Sequence, residues 1–202
     1  MLSIGTEQMT VRVLGISGSG RNGSFNTALL KAARGFLPEG VTLEPYDVSH
    51  FPLYGPDSER NMPPNVIKFK EKLQGADAVI ISTPEYNHSI PAMLKNAIEW
   101  GNRPYGDNSW DGKPAAIISA STSPTGGARA QEHLRQIMVD LNMFPLNKPQ
   151  VLVGRAQEKF SSSLELTDQK TQELLRDLLA QLVERARVLK EISHQQQILV
   201  MA

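Results

Sequence analysis

The stretch Gly15-Ile16-Ser17-Gly18-Ser19-Gly20-Arg21-Asn22-Gly23-Ser24-Phe25-Asn26 constrains the fold more than any other. It leaves an apolar segment, Val11 to Ser17, that reads as a buried strand. It then runs straight into an amphipathic segment in which Phe25, Leu29, Ala32, Ala33 and Phe36 recur at helical spacing. Its glycines let a backbone approach a ligand closely, its hydroxyls and amide supply donors, and Arg21 adds a positive fork. A helix starting near Ser24 aims unpaired N–H groups at an anion. Strand, anion cradle and helix in that order are the opening of an α/β domain.

The same order recurs down the chain. Val41 to Asp47 predicts a second strand, and Val48 to Pro64, rich in Pro, Asp, Ser and Asn, predicts a surface excursion. Val66 to Leu73 has helical spacing with Gly75 as its stop, and Asp77 to Ser82 is apolar enough for burial on both faces. Thr83 to Ser89 follows as a loop, and Pro91 opens a helix carrying Leu94, Ala97 and Ile98 on one side. After the loop Gly101 to Lys113 come a strand, Ala115 to Ser119, a Ser/Gly-rich turn to Gly127, and a helix from about Ala128 to Leu141. A last strand is expected near Val151 to Val153, and Thr167 is placed to cap a final helix striped by Leu175, Leu178, Leu179, Leu182, Ala186 and Leu189. The organisation expected is a flexible leader at 1–10, one domain at 11–192 and a tail at 193–202.

Five strands alternating with five helices predict a doubly wound parallel sheet with helices on both faces. The loops Gly18 to Asn26, Pro84 to Ser89 and Ser121 to Gly127 follow the carboxyl ends of the first, third and fourth strands. In the flavodoxin-like order 2-1-3-4-5 those strands are neighbours, and the loops form one pocket; in the order 3-2-1-4-5-6 they are spread apart. Gly18-x-Gly20-x-x-Gly23 also matches the dinucleotide fingerprint, with Asp47 where a ribose carboxylate would stand. The hydroxyl- and arginine-rich spacer argues against that reading, so a dinucleotide-binding dehydrogenase is the weaker alternative. No lysine precedes Ser24, which argues against a Walker-type loop.

Composition narrows the chemistry. Lysine plus arginine and aspartate plus glutamate both number 21, so no overall field recruits nucleic acid or a membrane. The absence of cysteine removes disulfides and thiolate chemistry and suits the cytoplasm. No stretch approaches the roughly 20 apolar residues of a membrane span. His50, His133 and His194 lack ligand spacing with carboxylates, so no metal is expected. Trp100 is expected in the core, and Trp110, in a polar loop, against a ligand or partner. His88, the histidine nearest the loops, fits either proton delivery or a solvent-facing place.

Three motifs occur in order: Ser19-x-Arg21-x-x-Ser24-x-Asn26; Pro84-Glu85-Tyr86-Asn87-x-Ser89-x-Pro91-x-x-Leu94-Lys95-Asn96-Ala97-Ile98-x-Trp100; and Gly126-Gly127-x-Arg129-x-Gln131-x-x-Leu134-Arg135. Over residues 11 to 155 the chain resembles the NAD(P)H-dependent FMN reductase family, which includes quinone, chromate and azo-dye reductases. It departs from that pattern at Thr122-Ser123-Pro124-Thr125, which replaces a more glycine-rich run. The resemblance implies non-covalent FMN, with Ser19, Arg21, Ser24 and Asn26 on its phosphate and Pro84, Glu85, Tyr86 and Asn87 bordering its ring. Ser121, Gly126 and Gly127 would close the opposite side. It further implies NADPH or NADH as hydride donor, a small-molecule electron acceptor, ping-pong turnover and self-association as a dimer or tetramer. No catalytic side chain is expected, because the flavin carries the chemistry. A flavodoxin-type electron carrier is the alternative from another class; such carriers resemble one another in being strongly acidic, which this neutral chain is not.

Overall fold

A strand apolar along its whole length has to be covered on both sides, and the central strands are. The computed structural model describes residues 10–201, so the leader expected at 1–10 lies, except for Thr10, outside the described residues. The strands are β1 (Val11–Ser17), β2 (Val41–Tyr46), β3 (Ala78–Ser82), β4 (Pro114–Ala120), β5 (Phe144–Pro145) and β6 (Val151–Val153). The helices are α1 (Phe25–Arg34), α2 (Pro64–Gly75), α3 (Ala92–Gly101), α4 (Ala128–Asp140) and α5 (Gln169–Met201).

All the pairings in this sheet are parallel, in the order β2-β1-β3-β4-β5 with β6 also on β4. This is the flavodoxin-like order expected from the loops. Side-chain alternation builds two core layers: Ala78, Ile80, Ala116 and Ile118 meet α1 and α5, while Val79, Ile81, Ala115 and Ile117 meet α2, α3 and α4. β2, at the edge, buries Leu43 alone and tolerates an exposed Pro45.

The strand expected near Val151 to Val153 forms as β6, and the short β5 precedes it beside the same strand, β4. Ala115 pairs with Pro145 and Ile118 with Val151, so β4 advances three residues while its neighbour advances six. The surplus, which includes Pro149 with no N–H to give, loops out between β5 and β6. Two expectations at the C-terminus change. Asp168, not Thr167, caps α5: its carboxylate accepts from the Thr171 N–H (2.9 Å) and hydroxyl (2.5 Å), while Thr167 donates to the Lys159 carbonyl (3.1 Å). There is also no break at 193, because α5 continues to Met201.

The polar excursion after β2 is tied down on α3. Asn96 accepts from the Tyr54 N–H (2.8 Å) and donates to the Pro52 carbonyl (3.0 Å), which also takes the Trp100 indole N–H (2.8 Å).

Candidate functional site

The first loop leaves β1 with the Gly18 N–H on the Ser82 carbonyl (2.8 Å), which sets it beside β3. Gly23 has φ +69°, which suits glycine, and no residue of the described chain other than its two neighbours comes within 4 Å of where a Cβ would stand. Ser24 caps α1, its Oγ accepting from the Thr27 N–H (3.3 Å) and its carbonyl from Ala28 (2.9 Å). The N–H groups of Phe25 and Asn26 have no partner among the described residues. Arg21 is exposed, with Nη2 3.1 Å from the Gly23 carbonyl, and it stands at the same opening.

Ser19, Arg21, Ser24, Asn26, Pro84, Glu85, Tyr86 and Ser121 line one cleft of about 260 Å³, together with Phe25, Ala120 and Thr122. The first eight were expected from the motifs. Phe25 was read only as part of a helix stripe, yet its place between Ser24 and Asn26 puts it at the mouth; Ala120 enters because it ends β4. The volume is below the roughly 300 to 1,000 Å³ of sites that enclose a drug-sized ligand.

Asn26 is placed in the cleft but its side chain is engaged elsewhere. Nδ2 donates to the Ala120 carbonyl (2.8 Å), and Oδ1 accepts from the Ala120 N–H (2.9 Å) and the Ser82 hydroxyl (3.3 Å). The amide pins α1 to β4, leaving its backbone N–H as the uncommitted donor of this residue.

Asn87, Gly126 and Gly127 do not line this cleft. Tyr86 and Ser89 exchange backbone hydrogen bonds across a two-residue turn, and Asn87 and His88 take the positive φ values, 50° and 64°, that the turn demands. Tyr86 itself is 51% exposed. Gly126 and Gly127 are buried at φ +64° and +88°, and a Cβ on Gly126 would stand 2.7 Å from the Leu152 carbonyl carbon. They shape the third loop from below. There the Ser119 hydroxyl donates to the Gly126 carbonyl (2.5 Å) and accepts from buried Gln131 (2.8 Å). The hydroxyls of Ser121, Ser123 and Thr125 are bonded in series at 3.2 and 2.8 Å.

Glu85 and Arg129 form a pair, and His133 meets Ser89; His88 is exposed in the turn and lines no part of the cleft. Trp110, expected against a ligand or partner, is fully buried: its indole N–H donates to the Ile98 carbonyl (3.1 Å), and its ring packs on Phe69 at 5.8 Å. The polar residues around it fold the loop back, Asn108 accepting from the Trp110 N–H (3.0 Å), and Gly101 makes room where a Cβ would overlap the indole. Trp100 is buried as expected.

Asp47 lines a second cleft of about 380 Å³ with Ser17, Thr27 and Ser49, and Ser19 and Arg21 line both clefts. Hydrogen bonding from Ser49 holds the Asp47 carboxyl below the ordinary value, so it is ionised at neutral pH. It takes no part in the cleft that joins the three loops. Among the described residues no group of three or more His, Asp or Glu is arranged to hold a metal ion, and no helix is long and apolar enough to cross a membrane.

A parallel sheet in this order, with the first loop opening into a cleft against the third and fourth strands, defines a flavodoxin-like protein. The family model of the NADPH-dependent FMN reductases matches residues 11–158, and the chain belongs to that family. An NAD(P)H-dependent FMN reductase of Pseudomonas aeruginosa is 47% identical over 170 residues, covering 84% of this chain and 91% of that protein. An NADPH:quinone oxidoreductase of Arabidopsis thaliana is 42% identical over 179 residues, covering 85% and 90%. Among solved structures, FerB, a flavoenzyme NAD(P)H:(acceptor) oxidoreductase of Paracoccus denitrificans, superposes with a TM-score of 0.81 at 32% identity, covering 88% of this chain and 98% of FerB.

Proposed function

We propose that this protein binds FMN non-covalently in the three-loop cleft and uses NADPH or NADH to reduce quinones or similar small acceptors. The observation that carries the reading is one juxtaposition. Phe25 and Asn26, whose N–H groups are uncommitted, line one cleft with Ser19, Ser24, Arg21 and the Pro84–Tyr86 edge. A phosphate dianion suits the donors, and a planar ring with polar edges suits the Pro84–Tyr86 edge.

Bound there, FMN supplies the hydride and electron transfer between nicotinamide and acceptor. The chain's own part is to bind and orient. Ser19, Ser24, Arg21 and the first turn of α1 hold the anion; Pro84, Glu85, Tyr86 and Asn87 form or support the edge along the ring; Ser121 closes the far side, with Gly126 and Gly127 shaping the loop that carries it. An open face lets two substrates use one position in turn, as a ping-pong cycle requires. The net reaction takes a hydride from NAD(P)H and one proton from solvent, turning a quinone into its quinol. Chromate, azo compounds and free flavin are further acceptor classes.

Self-association as a dimer or tetramer and a cytoplasmic location complete the reading. A cysteine-free chain suits a reducing compartment, which supports the location.

The test is the visible spectrum of the purified protein loaded with FMN, followed by anaerobic addition of NADPH. A flavin band that bleaches is the expected result. A band that NADPH and NADH leave unchanged points to an electron carrier, and a protein that takes up no FMN sinks both readings.

A further inference from the structure

Two side-chain contacts fasten the Tyr86 turn to one face of α4. Glu85 lines the cleft, yet its side chain is only 10% exposed; it accepts from the Arg129 backbone N–H (3.1 Å) and pairs with the Arg129 guanidinium (3.3 Å). One helical turn on, His133 Nδ1 stands 3.0 Å from the Ser89 hydroxyl. Between these anchors the chain doubles back through Asn87 and His88, so the turn has a fastening on either side.

The helix needs this arrangement as much as the turn does. α4 starts from Gly127, which has no side chain to cap with, and its first turn carries no acidic residue. Glu85 supplies the absent carboxylate from 44 positions earlier in the chain. It also balances the Arg129 charge and the positive end of the helix at the rim of the cleft.

We propose that Glu85 is a positioning residue of the flavin site: by capping α4 and pairing with Arg129 it holds the Pro84–Tyr86 edge and cancels positive charge beside a ring that gains negative charge on reduction. The assignment rests on FMN binding in this cleft. Without the carboxylate, Arg129 and the helix end are uncompensated and favour the reduced ring over the oxidised one.

Two measurements test it separately. In the FMN-free protein, Glu85→Ala should speed amide hydrogen exchange at Tyr86 and Ser89 at least tenfold, with β3 amides unchanged. In the loaded protein, Glu85→Gln keeps an acceptor for the Arg129 N–H and removes the charge. The ratio of reduced to oxidised FMN affinity should rise about tenfold, a midpoint shift of about +30 mV for a two-electron couple. Adding Arg129→Gln should reverse that shift. Wild-type exchange in Glu85→Ala, or a wild-type potential in Glu85→Gln, overturns the assignment. Wild-type protein that takes up no FMN overturns the binding reading before any variant is made, and the exchange measurement still decides whether Glu85 holds the turn.

Discussion

The first and third loops look alike as strings of serine and glycine, and they treat their hydrogen bonds in opposite ways. Gly18 to Asn26 leaves two first-turn N–H groups without partners and keeps its guanidinium at the surface. Ser121 to Gly127 bonds its hydroxyls to one another and packs its glycines where no Cβ fits. One loop keeps donors unpaired and the other satisfies its own. Residue type alone does not say which is which; the list of partners does.

Four substitutions press on this difference, in falling order of effect. Asn26→Ala should destabilise the protein by about 3 kcal/mol in urea unfolding, because the Ala120 N–H and carbonyl are left buried and unpaired. A loss below about 1 kcal/mol would mean that the amide does not join the first loop to β4. Gly126→Ala should cost about 2 kcal/mol, from the positive φ and the overlap with Leu152. FMN affinity measured on the folded fraction should be kept to within a few-fold, and loss of binding without loss of stability would place this glycine against the ligand. Arg21→Ala reverses the pattern: removing a charge-assisted contact worth about 1.5 to 3 kcal/mol should weaken FMN binding at least tenfold. Its melting temperature should not move, and unchanged affinity would mean that Arg21 serves only the turn. Ser123→Ala should shift stability by less than about 0.5 kcal/mol and leave FMN affinity at the wild-type value. A tenfold loss of affinity there would erase the contrast between the loops.

The sheet was readable because each of its signals is local. Asp77 to Ser82 is apolar at every second position on both faces, and the loops after the first, third and fourth strands carry the odd residues, which was enough to select the 2-1-3-4-5 order. Eight of the expected site residues share one cleft for the same reason: the order of strands brings those loops together. Two expectations, Trp110 against a ligand or partner and Thr167 as the cap of α5, gave way to local detail. Polarity signals exposure on average, but around Trp110 it comes from residues that bend the loop over the ring, and the better cap beside Thr167 was one residue away.

What the sequence by itself determined is the succession of elements and the adjacency of the three loops, both consequences of spacing within short segments. Only the tertiary structure decided that the Asn26 side chain binds β4, that Glu85 caps a helix 44 positions away, and that a short second strand joins β4 ahead of the expected one. These are matters of which group meets which across the packed interior. A hydrogen-bond partner is chosen by position in space, and periodicity along the chain carries no record of it.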